Sequence, residues 1–95
     1  MAKLSSDELE LALRTVAEWR DEAGNIVRTF EFKDFVEAMA FVNRVAEISE
    51  TDWHHPDIDI RWNKVRLALS THSEGGLTAK DFELARKFDG LAGAR

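Results

Sequence analysis

Three helix-starting motifs divide this chain, and between them the apolar residues change period. Ser5 with Glu8 has the spacing of a capping box, flanked by Leu4 and Leu9 as a hydrophobic staple. Thr78 with Asp81 repeats the box, with Leu77 and Phe82 as the staple, and Asp34 with Glu37 is a weaker version. Helices are therefore expected over about 6–14, 34–50 and 79–91. The intervening segments alternate. Val16 to Arg20 and Ile26 to Phe32 read as strands around the turn Asp21-Glu22-Ala23-Gly24-Asn25. Ile58, Ile60 and Trp62 alternate with Asp57, Asp59 and Arg61, and Val65, Leu67 and Leu69 alternate with Arg66, Ala68 and Ser70. The order α-β-β-α-β-β-α predicts an α+β fold, a four-stranded antiparallel sheet of two hairpins with helices packed on one face. Ninety-five residues make one domain, residues 1–95.

The middle helix carries more apolar surface than one sheet needs. Phe35, Ala38, Met39, Phe41, Val42, Val45, Ala46 and Ile48 cover nearly half its circumference at about 100° per residue. A second helix of the chain or a second subunit would bury the surplus, and the small size favours the subunit, as a homodimer or homotetramer. The net charge of −5 disfavours direct contact with nucleic acid or an anionic membrane. No apolar run reaches the ~18 residues of a membrane span, and the N-terminus does not read as a signal peptide. There is no cysteine, which removes disulfides, thiolate nucleophiles and Cys-based metal sites. The expected compartment is the reducing cytoplasm.

All three histidines fall between positions 54 and 72. With Asn63-Lys64 as a two-residue hairpin loop, Trp62 faces Val65, Ile60 faces Leu67 and Ile58 faces Leu69. The same ladder puts Asp57 opposite Ser70 and His55 opposite His72, at the cost of Arg61 facing Arg66. Trp53 precedes the cluster, Glu50 ends the middle helix and Asp81 opens the last one. Imidazoles titrate near neutral pH, with an ordinary pKa of about 6.5, so this set suits proton transfer on a flat heterocycle. The plainer readings are that Asp81 is a helix cap and that Trp19 and Trp62 are core residues of strands. A zinc site is the rival, but adjacent His54 and His55 would point apart in extended chain, and no HExxH pattern is present. No metal is expected. Ser70 and Ser73 lack a nucleophile elbow, and Gly75-Gly76 lacks the features of a phosphate loop.

At these residues the chain resembles the pterin-4a-carbinolamine dehydratases, known in animals also as the dimerisation cofactor of a liver homeodomain factor. The family pattern is a charged residue, three residues, His, His or Asn, Pro, five residues, an aromatic, nine residues, His and then Asp. Here it reads Glu50, Thr51-Asp52-Trp53, His54-His55-Pro56, Trp62, His72 and Asp81. Phe30-Glu31-Phe32-Lys33-Asp34-Phe35, Asn63-Lys64-Val65 and Leu69-Ser70-Thr71-His72 also resemble the family, from about Trp19 to Phe88. The clearest departure is Trp53, where the animal proteins have Asp. The resemblance implies a four-stranded antiparallel sheet with helices on one side. It implies loss of water from a 4a-hydroxytetrahydropterin to give quinonoid dihydropterin, in recycling of the tetrahydrobiopterin used by aromatic amino-acid hydroxylases. The pterin is then the substrate and no cofactor is needed. Catalysis would fall to His54, His55, His72, Asp81 and Glu50. His54 and His72 would transfer protons, His55 would orient the ring, Asp81 would hold a histidine tautomer and Glu50 would support the pocket. Trp53, Pro56, Ser70, Thr71, Ser73 and Trp19 would bind substrate. The alternatives are a protein-interaction module, docking through the middle helix, and an accessory protein that binds pterin for another task.

Overall fold

The computed structural model describes residues 2–93. Its first helix, α1 (Ser6–Arg14), starts at the expected capping box: Ser5 Oγ accepts from the Glu8 N–H and Glu8 Oε1 accepts from the Ser5 N–H. The bond from the Ser5 backbone, with a smaller contribution from its side chain, holds the Glu8 carboxyl below its ordinary value. The chain continues as β1 (Arg20–Glu22), β2 (Asn25–Glu31), α2 (Phe35–Asp52), β3 (Asp57–Arg61), β4 (Lys64–Leu69), a 3-10 turn (His72–Glu74) and α3 (Ala79–Gly93). The α-β-β-α-β-β-α order holds, and the four strands form one antiparallel sheet in the order β1-β2-β4-β3. Among the described residues no helix is long and apolar enough to cross a membrane.

The strand expected over Val16 to Arg20 is a correction. Val16 and Trp19 are both buried, and residues three apart in a strand face opposite sides. Turns solve this: the Val16 N–H bonds the Leu13 carbonyl and the Trp19 N–H bonds the Val16 carbonyl. Pairing begins only at Arg20, opposite Val27, and the loop shrinks to Ala23-Gly24, both at positive φ as a two-residue hairpin requires.

The sheet is two-sided. Ile26 and Phe30 of β2 and Val65, Leu67 and Leu69 of β4 are buried in one core with Ala38, Phe41 and Val45 of α2 and Phe82, Leu84 and Phe88 of α3. Arg28 also lies on this face, opposite Leu67, and its charge is met inside: Nη1 donates to Asp89 Oδ1 at 2.6 Å while the guanidinium lies 4.1 Å from the Phe30 ring centre. On α2, Ala38, Phe41, Val42 and Val45 are buried, Met39 and Ile48 partly so, and Phe35 and Ala46 are left exposed beside Val36. The single chain therefore covers only part of the apolar arc.

The β3–β4 register is the second correction. The turn is Trp62-Asn63, with Arg61 opposite Lys64, Ile60 opposite Val65 and Ile58 opposite Leu67. This is a slip of two residues from the expected ladder, and an even slip keeps every apolar side chain on its face. Alternation alone therefore cannot distinguish the two. Charge and hydrogen bonding do: Arg66 now faces Asp59 in place of Arg61. Asn63 is buried, its Nδ2 donates to the Phe32 carbonyl at 2.9 Å, and its own carbonyl accepts from the Phe32 N–H at 2.9 Å. Trp62 takes the positive φ of the turn and is exposed, not core. His55 is no longer opposite His72. Asn63→Ala removes the buried side-chain hydrogen bond from Asn63 Nδ2 to the Phe32 carbonyl and should cost about 0.5–1.5 kcal/mol, read as a lower urea midpoint at unchanged slope.

Candidate active site

The last turn of α2 positions two of the histidines. Trp53 caps the helix in the left-handed conformation (φ 51°, ψ 47°), and the N–H groups of Trp53 and His54 both bond the Ser49 carbonyl. Ser49 is itself buried and donates from Oγ to the Val45 carbonyl at 2.7 Å. The reversal at Trp53 separates the next two side chains, as adjacent residues of an extended segment require. His54 is partly buried against α3, and His55 is half exposed beside Glu50.

His54 meets Asp81, which has no exposed surface. His54 Nε2 lies 2.6 Å from Asp81 Oδ1. Oδ2 accepts from Thr71 Oγ1 at 2.8 Å and from the Thr78 N–H at 3.0 Å. Because Thr71 gives its single hydroxyl hydrogen to Asp81, Thr78 donates in the 2.8 Å contact between the two threonines. Thr78 Oγ1 in turn accepts from the Lys80 N–H. The expected Thr78–Asp81 box is thus half made: Asp81 reaches back to the Thr78 N–H, while the Thr78 hydroxyl turns to Lys80 and Thr71. A carboxylate acceptor at Oδ1 places an imidazole hydrogen on Nε2.

The other candidates fall into two further groups. His55 Nε2 pairs with Glu50 Oε2 at 2.5 Å, and the His55 and Trp53 rings meet edge-on with centres 5.2 Å apart. His72 opens the 3-10 turn, in a loop closed by two hydrogen bonds between Thr71 and Gly76 and reversed at Gly75, φ 73°. It lines an open depression of about 480 Å³ with Ser70, Asp57, Asn25 and the glycines Gly24, Gly75 and Gly76. Thr71, its chain neighbour, connects this loop to Asp81. Pro56 leads into β3, and Ser73 is exposed in the 3-10 turn. Trp19 stands apart: it is a core residue whose Nε1 donates to Asp89 Oδ1 at 2.8 Å. Among the described residues no three His, Asp or Glu side chains are grouped as metal ligands would be.

Two contributors were not singled out by sequence reasoning. Thr78 was legible only as a helix cap; that its hydroxyl joins the Asp81 network depends on Thr71 arriving from the sheet. Asp52 bonds Lys87 Nζ at 2.6 Å and ties the end of α2 to α3. That bond holds the Asp52 carboxyl below its ordinary value, against a smaller opposing effect of burial. Its contribution to stability is complete above the unfolded-state pKa and is lost as pH falls through the folded one.

A small antiparallel α+β domain with a histidine–carboxylate network between two helix ends and a sheet loop defines the class. The sequence profile of the pterin 4 alpha carbinolamine dehydratase family matches residues 2–91, and the chain belongs to that family. A relative from Acidobacterium capsulatum, provisionally named a pterin-4-alpha-carbinolamine dehydratase, is 54% identical over 91 residues, covering 96% of this chain and 99% of the relative. One from Gloeobacter violaceus, provisionally named in the same way, is 54% identical over 89 residues, covering 90% and 97%. A crystal structure from Brucella melitensis, described as a transcriptional coactivator/pterin dehydratase, superposes with a TM-score of 0.91 at 37% identity, covering 95% of this chain and 98% of that one. A pterin dehydratase-like protein described as a RuBisCO assembly factor shares the fold alone, at a TM-score of 0.66 and 24% identity over 79% of this chain and 87% of its own.

Asp81→Ala would leave Thr71, Thr78 and His54 without their shared acceptor. The expected loss is about 3 kcal/mol or more in urea unfolding, well above that of an ordinary cap substitution.

Proposed function

We propose that the protein dehydrates a 4a-hydroxytetrahydropterin to the quinonoid dihydropterin by histidine acid–base catalysis. The reading rests on the Thr71–Asp81–His54 network, which orients one imidazole with Nδ1 available, together with the family of the chain. The reaction needs a proton delivered to the departing 4a-hydroxyl and the hydrogen on ring N5 removed as a proton; the C4a–O bond breaks and water leaves. Two groups that change protonation near neutral pH serve this chemistry, each worth about 10²–10⁴-fold. His54 and His72 are the proposed proton-transfer pair. His55, held by Glu50, binds and orients the ring, and the backbone around Ser70, Thr71, His72 and Ser73 can pair with the pterin's amide edge. Asp81 positions His54 and does not itself transfer a proton. The pterin is the substrate, and these steps call on no metal or further cofactor. The proposed role is recycling of a tetrahydropterin cofactor in the cytoplasm.

A stopped-flow assay on chemically generated 4a-hydroxytetrahydropterin tests this. The wild-type chain should accelerate dehydration, and His54→Ala with His72→Ala should remove at least about 10²-fold of that acceleration while the far-ultraviolet circular dichroism persists. Absence of acceleration by the wild type overturns the reading.

The exposed part of α2 supports self-association. Phe35 is 48% and Val36 76% exposed, an apolar patch that a second copy would cover. Light scattering at micromolar concentration should give the mass of a dimer or tetramer; a strict monomer would refute the assembly and leave the dehydratase reading intact.

A further inference from the structure

Trp53 carries a conformational cost that its local structure does not explain. A non-glycine residue in the left-handed region is disfavoured by contact between its Cβ and backbone, and glycine or asparagine is the usual occupant of such a helix end. The cap needs no side chain here, because the Trp53 and His54 N–H groups supply both bonds to the Ser49 carbonyl. Nor does the core use the indole, which is 76% exposed. Among the described residues its aromatic contact is with the His55 imidazole, at 5.2 Å between centres and 82° between planes. A large flat apolar face is thus held in solvent by a rigid, hydrogen-bonded helix end. On one side of it in the chain is the helix carrying Glu50; on the other are His54, bonded to Asp81, and His55, bonded to Glu50. Disfavoured backbone maintained beside reactive groups is characteristic of a ligand-holding position.

We infer that Trp53 is the stacking platform for the pterin's bicyclic ring, presenting an indole face beside the histidines that handle its protons. The inference rests on the dehydratase reading for the identity of the ring, but not for the role of the indole. A stacked aromatic has only two side-chain torsions to restrain, so an already rigid cap delivers it with little further ordering. The same position sets a conflict between stability and binding, because the residue best for the helix end has no ring.

The test is Trp53→Gly, beside Trp53→Phe. Trp53→Gly should raise the urea midpoint, since glycine adopts this conformation freely, and should raise KM for the 4a-hydroxytetrahydropterin about tenfold or more with a smaller change in kcat. Trp53→Phe should recover most of the affinity. Binding of 7,8-dihydrobiopterin, a stable probe, should quench indole emission in a Trp62→Phe background, and Trp53→Gly should weaken its affinity by a similar factor. Wild-type turnover with KM and probe affinity unmoved in Trp53→Gly overturns the platform and spares the dehydratase reading. Probe binding that depends on Trp53 without any wild-type turnover overturns the dehydratase reading and spares the platform. A wild type that neither binds the probe nor turns over overturns both.

Discussion

The buried carboxylate of Asp81 is the point on which the arrangement depends. One oxygen takes the His54 imidazole and the other takes the Thr71 hydroxyl and the Thr78 N–H. Those three donors come from the loop after α2, the loop after β4 and the residue that starts α3. A buried charge is tolerable only when its lone pairs are met, so the three segments must converge for the core to close. Folding and site assembly are in this sense one event. The network that satisfies the carboxylate also holds the His54 ring.

Around that point the structure divides its labour by burial. His54 is partly buried and held by Asp81, whereas His55 and His72 are exposed. The His54 imidazole is oriented by its bond to a carboxylate that has no exposed surface. The pair of His55 and Glu50 is made in contact with solvent. The Lys87–Asp52 bond adds a second tie between α2 and α3, close to the turn that carries the histidines.

Legibility in the sequence followed the range of the interaction. The three helices were readable because capping and 3.6-residue periodicity act within a few residues. The start of β1 was not: Val16 and Trp19, three apart, would face opposite sides of a strand, yet both are drawn into one core. The hairpin register was misread for a sharper reason. A two-residue slip is invisible to apolar alternation, and Arg61 facing Arg66 was the one local sign against the chosen ladder. Asn63 decided the matter through Phe32, more than thirty residues earlier in the chain. The candidate site was legible as a set of residue types and spacings, but not as a partition. Trp19 belonged to the core, Thr71 and Thr78 joined Asp81, and the expected pairing of His55 with His72 gave way to His54 with Asp81 and His55 with Glu50.

The sequence by itself determined the order of elements, the faces they bury and the residues able to carry proton chemistry, because each of these follows from local spacing and side-chain type. Only the tertiary structure decided which partner each of those residues has. Hydrogen bonds are short and directional, so whether Asp81 is merely a helix cap or the anchor of a histidine depends on what two distant loops bring within 3 Å of it. Which way His54 and His55 turn depends in the same manner on the left-handed cap at Trp53.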